Sequence, residues 1–165
     1  MKIFVIADTH FFHENIIKYC DRPFSSVEDM NNTIIKNWNE VVSNDDIVLH
    51  LGDVSLGKKE ETAKIIRKLK GRKILIKGNH DRWSDQVYRD MGFEYVSKFP
   101  ILYDGFYILS HAPLEILSDK LPYMSCYGHV HNDERYVDTE NTKCFSVERI
   151  GYKPFLLYEK EVKRK

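Results

Sequence analysis

The sequence predicts an α/β fold in which two β-sheets pack face to face with helices outside. In the first half, short apolar runs alternate with amphipathic stretches, and the second half consists mostly of short β-type runs. A βαβαβ half followed by a β-rich half covers its apolar surface best by stacking one sheet on the other and leaving helices on the outside. No repeat, low-complexity tract or Pro/Gly-rich linker divides the chain, so residues 1–165 read as one domain, within the usual ~100–200 residues.

Each element has a local reason. Lys2–Ala7 is short, β-branched and almost continuously apolar, the pattern of a buried strand. Ser26-Val27-Glu28-Asp29 opens a helix, with serine as cap and acids in the first turn. Val27, Met30, Ile34, Trp38 and Val41 then recur every three or four residues and make one apolar face. Asp46–Leu51 is the next strand, Glu60–Leu69 the next helix, stopped at Gly71, and Lys73–Ile76 the third strand. Ser84–Met91 is a short capped helix ending at Gly92. Tyr95–Phe99, Ile101–Tyr103 and Phe106–Leu109 open the β-rich half, with Asp104-Gly105 as a hairpin signal. Tyr123–Tyr127, Cys144–Val147 and Pro154–Tyr158 continue it, and residues 128–143 read as loop.

Composition narrows the function classes. Hydrophobic residues make up 42% and charged residues 30%, the balance of a soluble globular protein. Twenty-five basic side chains offset 25 acidic ones, so net charge demands neither nucleic acid nor a membrane as partner. No apolar stretch approaches the roughly 20 residues that cross a bilayer, and the apolar run at the N-terminus is too short for a signal-peptide core. Cys20, Cys126 and Cys144 are odd in number and widely spaced. They give neither a disulfide framework nor a paired-thiolate zinc site, and a reducing, cytoplasmic setting is expected.

The chemistry lies in five polar motifs, each at the C-terminal end of an apolar run: Asp8-Thr9-His10, Gly52-Asp53, Gly78-Asn79-His80-Asp81, Ser110-His111 and Gly128-His129-Val130-His131. Ligands bind at that edge of open α/β sheets, where loops leave a crevice and strands hold them in place. Carboxylate, imidazole and amide donors suit borderline divalent ions such as Mn, Fe, Co, Ni or Zn. Two aspartates leave a pair of divalent cations with net positive charge, which favours phosphate and hydroxide near neutral pH.

In this order the motifs resemble the calcineurin-like metallophosphoesterases, over residues 8–131. His10-Phe11-Phe12-His13-Glu14-Asn15-Ile16-Ile17 and Arg22-Pro23-Phe24 resemble a small bacterial and phage-type branch of that superfamily. The resemblance implies a four-layer α/β/β/α sandwich of two mixed sheets. It also implies two divalent ions, manganese first, with iron, zinc, cobalt or nickel as alternatives. Asp8, His10 and His131 would hold one ion, Asn79, His111 and His129 the other, and Asp53 would bridge them. His80 would stand beside the leaving oxygen, with Asp81 orienting its ring. The implied reaction is in-line attack on phosphorus by a hydroxide shared between ions ~3.5–4 Å apart, with His80 protonating the leaving alkoxide.

The substrate expected is a phosphate ester, and the absence of a long insertion for a cap favours an open cleft and nucleotide-type diesters. A phosphomonoesterase, a nuclease on long nucleic acid and a non-catalytic scaffold are the alternatives. His13, Arg22 and Arg82 are further substrate-side candidates. His13 and Arg22 have bland counterparts, a helix-start histidine and a structural salt bridge, and beside Arg82 a packed Trp83 is the plainer reading of that pair. His50, inside a strand, reads as a satisfied core residue, and Cys126 as a buried strand cysteine. The basic run from Lys58 to Lys73 could track a nucleic-acid backbone, but on an amphipathic helix interspersed with Glu60 and Glu61 it reads as a solvated face.

Overall fold

The computed structural model describes residues 1–114 and 122–160. Four strands, β1 (Lys2–Ile6), β2 (Ile47–His50), β3 (Arg72–Ile76) and β4 (Phe93–Ser97), are parallel and lie side by side in chain order. The helices α1 (Glu14–Tyr19), α2 (Val27–Val41), α3 (Lys59–Lys68) and α4 (Asp85–Met91) connect them. Parallel crossovers are right-handed, and every step here moves the same way across the sheet. All four helices therefore fall on one face, and the other face is free for a second sheet.

That second sheet has the order β5 (Ile101–Tyr103), β6 (Tyr107–Leu109), β7 (Met124–Tyr127) and β8 (Thr142–Cys144). β5 and β6 form an antiparallel hairpin turning through Asp104 and Gly105, both with positive φ, whereas β6, β7 and β8 are parallel. The last strand, β9 (Phe155–Glu159), returns to the first sheet and lies antiparallel beside β1. Two mixed sheets flanked by helices result, as expected. Among the described residues all the helices pack on the first sheet's outer face.

Two strands fall elsewhere than the two-half pattern suggests. β4 belongs to the first sheet, where α4 makes a third crossover, and β9 leaves the β-rich half to close the first sheet's other edge. Strand pairing of this kind is long-range and leaves no mark on local pattern.

Alternation along β1 explains the two cores. Phe4 and Ile6 face the helices with Met30, Ile34, Trp38 and Ile66, while Ile3, Val5 and Ala7 face the second sheet with Leu49, Leu109, Cys126 and Phe145. Both faces are buried, which is why β1 reads as an unbroken apolar run. Ser26 caps α2 by accepting from the Asp29 N–H at 3.1 Å. Trp38 is fully buried and donates its indole N–H to the Lys70 carbonyl at 2.9 Å. Ser84 and Gly92 cap α4, Gly92 with φ 122°.

One seam joins the sheets where it matters. Beyond β8, the Ala7 N–H donates to the Phe145 carbonyl (2.9 Å) and the Val147 N–H to the Ala7 carbonyl (3.1 Å). The chain at 145–148 is thereby pinned beside the end of β1.

Candidate metal centre

Every motif found at a strand end lies on one edge of this double sheet. Asp8 and His10 follow β1, Asp53 follows β2, Asn79 and His80 follow β3, His111 follows β6, and His129 and His131 follow β7. Two groups of ligand atoms result. Asp8, His10 and His131 each place a ligand atom within 4.8 Å of the others, and so do Asp53, His111 and His129. Asp53 links the groups: its Oδ2 lies 3.5 Å from His10 Nε2 and 3.5 Å from His111 Nε2. Asn79 joins the second group through Oδ1, 2.9 Å from His111 Nε2.

The local backbone is bent to achieve this. Asp8, His10, Asp53, His129 and His131 all have positive φ, between 48° and 71°. Non-glycine residues in that region are uncommon, though Asp and His are enriched there, and each carries a cost of order 1–3 kcal/mol. Close approach adds a steric demand. A Cβ on Gly128 would lie 2.5 Å from Ala7 Cβ and 2.6 Å from Asp8 Oδ2, and one on Gly78 would collide with Asp53.

Hydrogen bonding shows what the strain serves. His111 lies 2.8 Å from the Leu51 carbonyl through Nδ1, so in the neutral ring the proton sits there and Nε2 carries a lone pair. That lone pair faces Asn79 Oδ1 at 2.9 Å and His129 Nδ1 at 3.1 Å. Acceptors converging with too few protons between them call for a cation. Asp8 Oδ1 and His10 Nε2 are buried without a hydrogen-bond partner among the described residues, a costly state unless something binds them. The residues therefore fit a pair of divalent cations, by the chemistry of the donors as much as by position.

Electrostatics divides the groups further. Burial lifts the Asp8 carboxyl to about 6, against the opposing pull of His131, His111 and Ser146. Burial, then the His131 and Arg22 charges, hold His10 far below its ordinary range. Burial also disfavours a charged His131, but hydrogen bonds to Cys20 and Glu148 and the Asp8 charge outweigh it and raise it to about 10.

Three substrate-side candidates land differently. His13 is half-buried with Nδ1 3.2 Å from His10 Nδ1, and its ring centroid is 6.3 Å from that of His80. Arg82 is exposed, two residues beyond His80. Arg22 is buried, and its donors are committed to Glu148 Oε1 (2.7 and 2.9 Å), the Asp8 carbonyl (2.8 Å) and the Thr9 carbonyl (3.2 Å). It clamps the first ligand loop from within, and these engaged donors favour the structural ion pair over the phosphate clamp.

Asp81 also departs from expectation. Its carboxylate accepts the N–H groups of Asp53, Val54 and Gly78 (2.8, 3.0 and 2.8 Å) and the Tyr88 hydroxyl (3.1 Å). With both oxygens so engaged it ties the Asp53 and Asn79 loops together and makes no hydrogen bond to the His80 ring. His80 is held instead by its backbone N–H, donated to Asp53 Oδ1 at 2.9 Å, and its ring stands 5.4 Å edge-on from that of His10.

His50 is the satisfied core residue its strand position suggests. Its Nδ1 accepts the Gly52 N–H, Nε2 meets Thr9 Oγ1 at 3.0 Å, and Thr9 donates to the Val54 carbonyl. Two residues escaped the sequence reading. Ser146 donates to Asp8 Oδ2 at 2.6 Å, and Glu148 Oε1 lies 2.9 Å from His131 Nδ1. Glu148 follows the apolar run Cys144–Val147, so the strand-end criterion that picked the other motifs extends to it, whereas Ser146 lies inside that run and carries no such signal.

With this geometry the chain takes its place among known proteins. A family model described as calcineurin-like phosphoesterase matches residues 1–161, and the chain belongs to that family of metal-dependent phosphoesterases. It is 37% identical over 166 residues to the uncharacterized protein MJ1445 of Methanocaldococcus jannaschii, covering 94% of this chain and 87% of the relative. Among solved structures it is similar to the protein AQ665 of Aquifex aeolicus, of unknown function, with TM-score 0.68 and 28% identity over 93% of this chain and 94% of that one. A novel archaeal phosphodiesterase shares the fold at TM-score 0.54 and 20% identity, over 88% of this chain and 82% of that one. The nuclease MPE of Pseudomonas putida does so at 0.51 and 19%, over 78% and 61%. No helix among the described residues is long and apolar enough to cross a membrane.

Proposed function

We propose that the chain is a two-metal phosphodiesterase acting on nucleotide-type phosphodiesters. The observation that carries this reading is the position of Asp53 Oδ2, 3.5 Å from a histidine of each ligand group, which suits a carboxylate shared by two cations. Asp8, His10 and His131 would hold one ion and Asn79, His111 and His129 the other, with manganese the first choice. Bound there, the ions supply Lewis-acid neutralisation of phosphate charge and lower the pKa of water toward neutrality.

The chain's own groups do the rest. Asn79, His80 and His129 are exposed, so a phosphate has a route to the centre from the solvent side. His80, fixed by its bond to the bridging aspartate, gives a proton to the leaving oxygen, a contribution of about 10²–10⁴-fold in general. Asp81 and Arg22 keep the loops in register. Three buried, unpaired cysteines suit a reducing compartment.

The test pairs bis(p-nitrophenyl) phosphate with p-nitrophenyl phosphate on manganese-loaded protein, beside Asp53→Asn with its metal content measured. Faster diester turnover is expected in the wild type. Asp53→Asn is expected to lose about 10³-fold in rate, corresponding to several kcal/mol of lost charge stabilisation. A strong monoester preference would reassign the substrate class, and an Asp53→Asn protein as active as wild type would remove the shared-carboxylate reading.

A further inference from the structure

Beside the metal centre lies a groove of about 380 Å³ lined by Leu56, Gly57, Lys58, Lys59, Arg82 and Trp83. Three of the six residues are cationic and none is acidic. Lys58, Lys59 and Arg82 are exposed and make no ion pair among the described residues. Of the neighbouring acids, Glu61 accepts the Lys58 backbone N–H and Asp85 pairs with Lys77 at 3.4 Å, while Glu60 on α3 is exposed and outside the groove lining. In a chain whose formal net charge is zero, three unpaired cations along one groove are not a by-product of a basic composition.

Two chain connections tie the groove to the site. Arg82 is two residues beyond His80, so their Cα atoms are at most about 7.6 Å apart. The opposite wall is stitched to the first ligand loop, where the Leu56 N–H donates to the Phe11 carbonyl at 2.9 Å and Ser55 Oγ to the same oxygen at 3.1 Å. The floor includes Trp83, half-buried, with its ring tilted against Tyr88 at 5.6 Å and its carbonyl held by Lys77 Nζ. Cations that track a backbone, interleaved with an aromatic ring on which a base stacks, are the features that hold single-stranded nucleic acid.

We propose that this groove binds the phosphates and a base flanking the scissile bond, so that single-stranded nucleic acid is the substrate class. The proposal rests on the phosphodiesterase reading and deepens it. An isolated mononucleotide diester engages the metal centre alone; an oligonucleotide engages the groove as well.

The probe is a phosphorothioate-linked dodecathymidylate, its binding to manganese-loaded protein followed across a salt series. The Lys58→Ala/Lys59→Ala/Arg82→Ala variant is compared with wild type and with Lys64→Ala/Lys68→Ala, which alters charge on α3 away from this groove. Each single-strand phosphate neutralised contributes about 0.7 to the slope of log affinity on log salt. The triple variant is therefore expected to lose about 2 in slope and the Lys64/Lys68 variant little. The triple variant's kcat/KM on the cleavable oligonucleotide is expected to fall at least about tenfold more than its kcat/KM on bis(p-nitrophenyl) phosphate.

Equal slopes in wild type and triple variant, or an equal loss in the Lys64/Lys68 variant, overturn the groove assignment. Tighter binding of a duplex of the same length overturns the choice of single strands. Wild type that binds metal yet leaves bis(p-nitrophenyl) phosphate intact overturns the phosphodiesterase reading itself, a separate result.

Discussion

The two halves of the proposed metal centre meet solvent very differently. Asp8 and His10 are 0% and 1% exposed, and around them Ser146, Glu148 and Arg22 form a closed polar shell. Asn79 and His129 stand in the open, with His111 and Asp53 behind them. The first half is therefore built like a structural site, its ligands oriented by outer partners, which commonly tune affinity. The second half is open to solvent, and on the proposed function it is the side from which substrate would arrive.

The largest test of that asymmetry is removal of a ligand from each half. His10→Ala deletes a side chain that is 1% exposed and next to Asp8 and Asp53, so loss of both ions and a marked fall in thermal stability are expected. His129→Ala is expected to keep one ion and most of its stability. Elemental analysis beside thermal melts decides. Equal metal loss in both variants would mean that the halves do not differ in this way.

A smaller effect isolates the outer shell. Glu148→Gln keeps the shape but removes the charge facing His131 Nδ1 and Arg22, and a partner of this kind is typically worth about 10–100-fold in metal affinity. That loss is expected for the buried half alone in a two-site metal titration. A loss confined to the exposed half would reverse the assignment.

The smallest test is pH. In the metal-free protein His131 is raised from 6.5 to about 10, so its stabilising contribution is fully present below 6.5 and is lost as pH rises through 10. Asp8, raised from 3.8 to about 6, acts in the same direction: the folded state favours its proton, and that contribution is lost as pH rises through 6. A metal ligand must be unprotonated, so binding at pH 8 is expected to release about one proton from His131. Calorimetry in buffers of different ionisation enthalpy reads this number, and no buffer dependence would contradict it.

Much of this was visible in the chain before any coordinates. The apolar runs of β1, β2 and β3, the Ser26 and Ser84 caps and the Asp104-Gly105 turn depend on neighbours within a few residues. The strand-end placement of the polar motifs follows from the same short-range pattern. The family resemblance then supplied a division of the motifs into two ligand sets.

What local pattern could not contain was pairing between distant segments. β9 joins the first sheet through β1, at the other end of the chain, and β4 joins it through β3, beyond the α4 crossover, so neither placement can be read from a strand's own residues. The fate of Arg22 and Asp81 turned on the same point. Each is a charged residue beside a motif, equally suited to substrate or scaffold by type, and only the packed chain shows that Arg22 is spent on Glu148 and two carbonyls and Asp81 on three N–H groups and a hydroxyl. Ser146 and Glu148 became part of the centre because Phe145 and Val147 pair with Ala7. Sequence by itself determined the elements and the donor chemistry, since these are set by side-chain type and short-range spacing. Tertiary structure decided which buried charge faces which, because a buried hydrogen-bonding group must find a partner wherever the fold brings one.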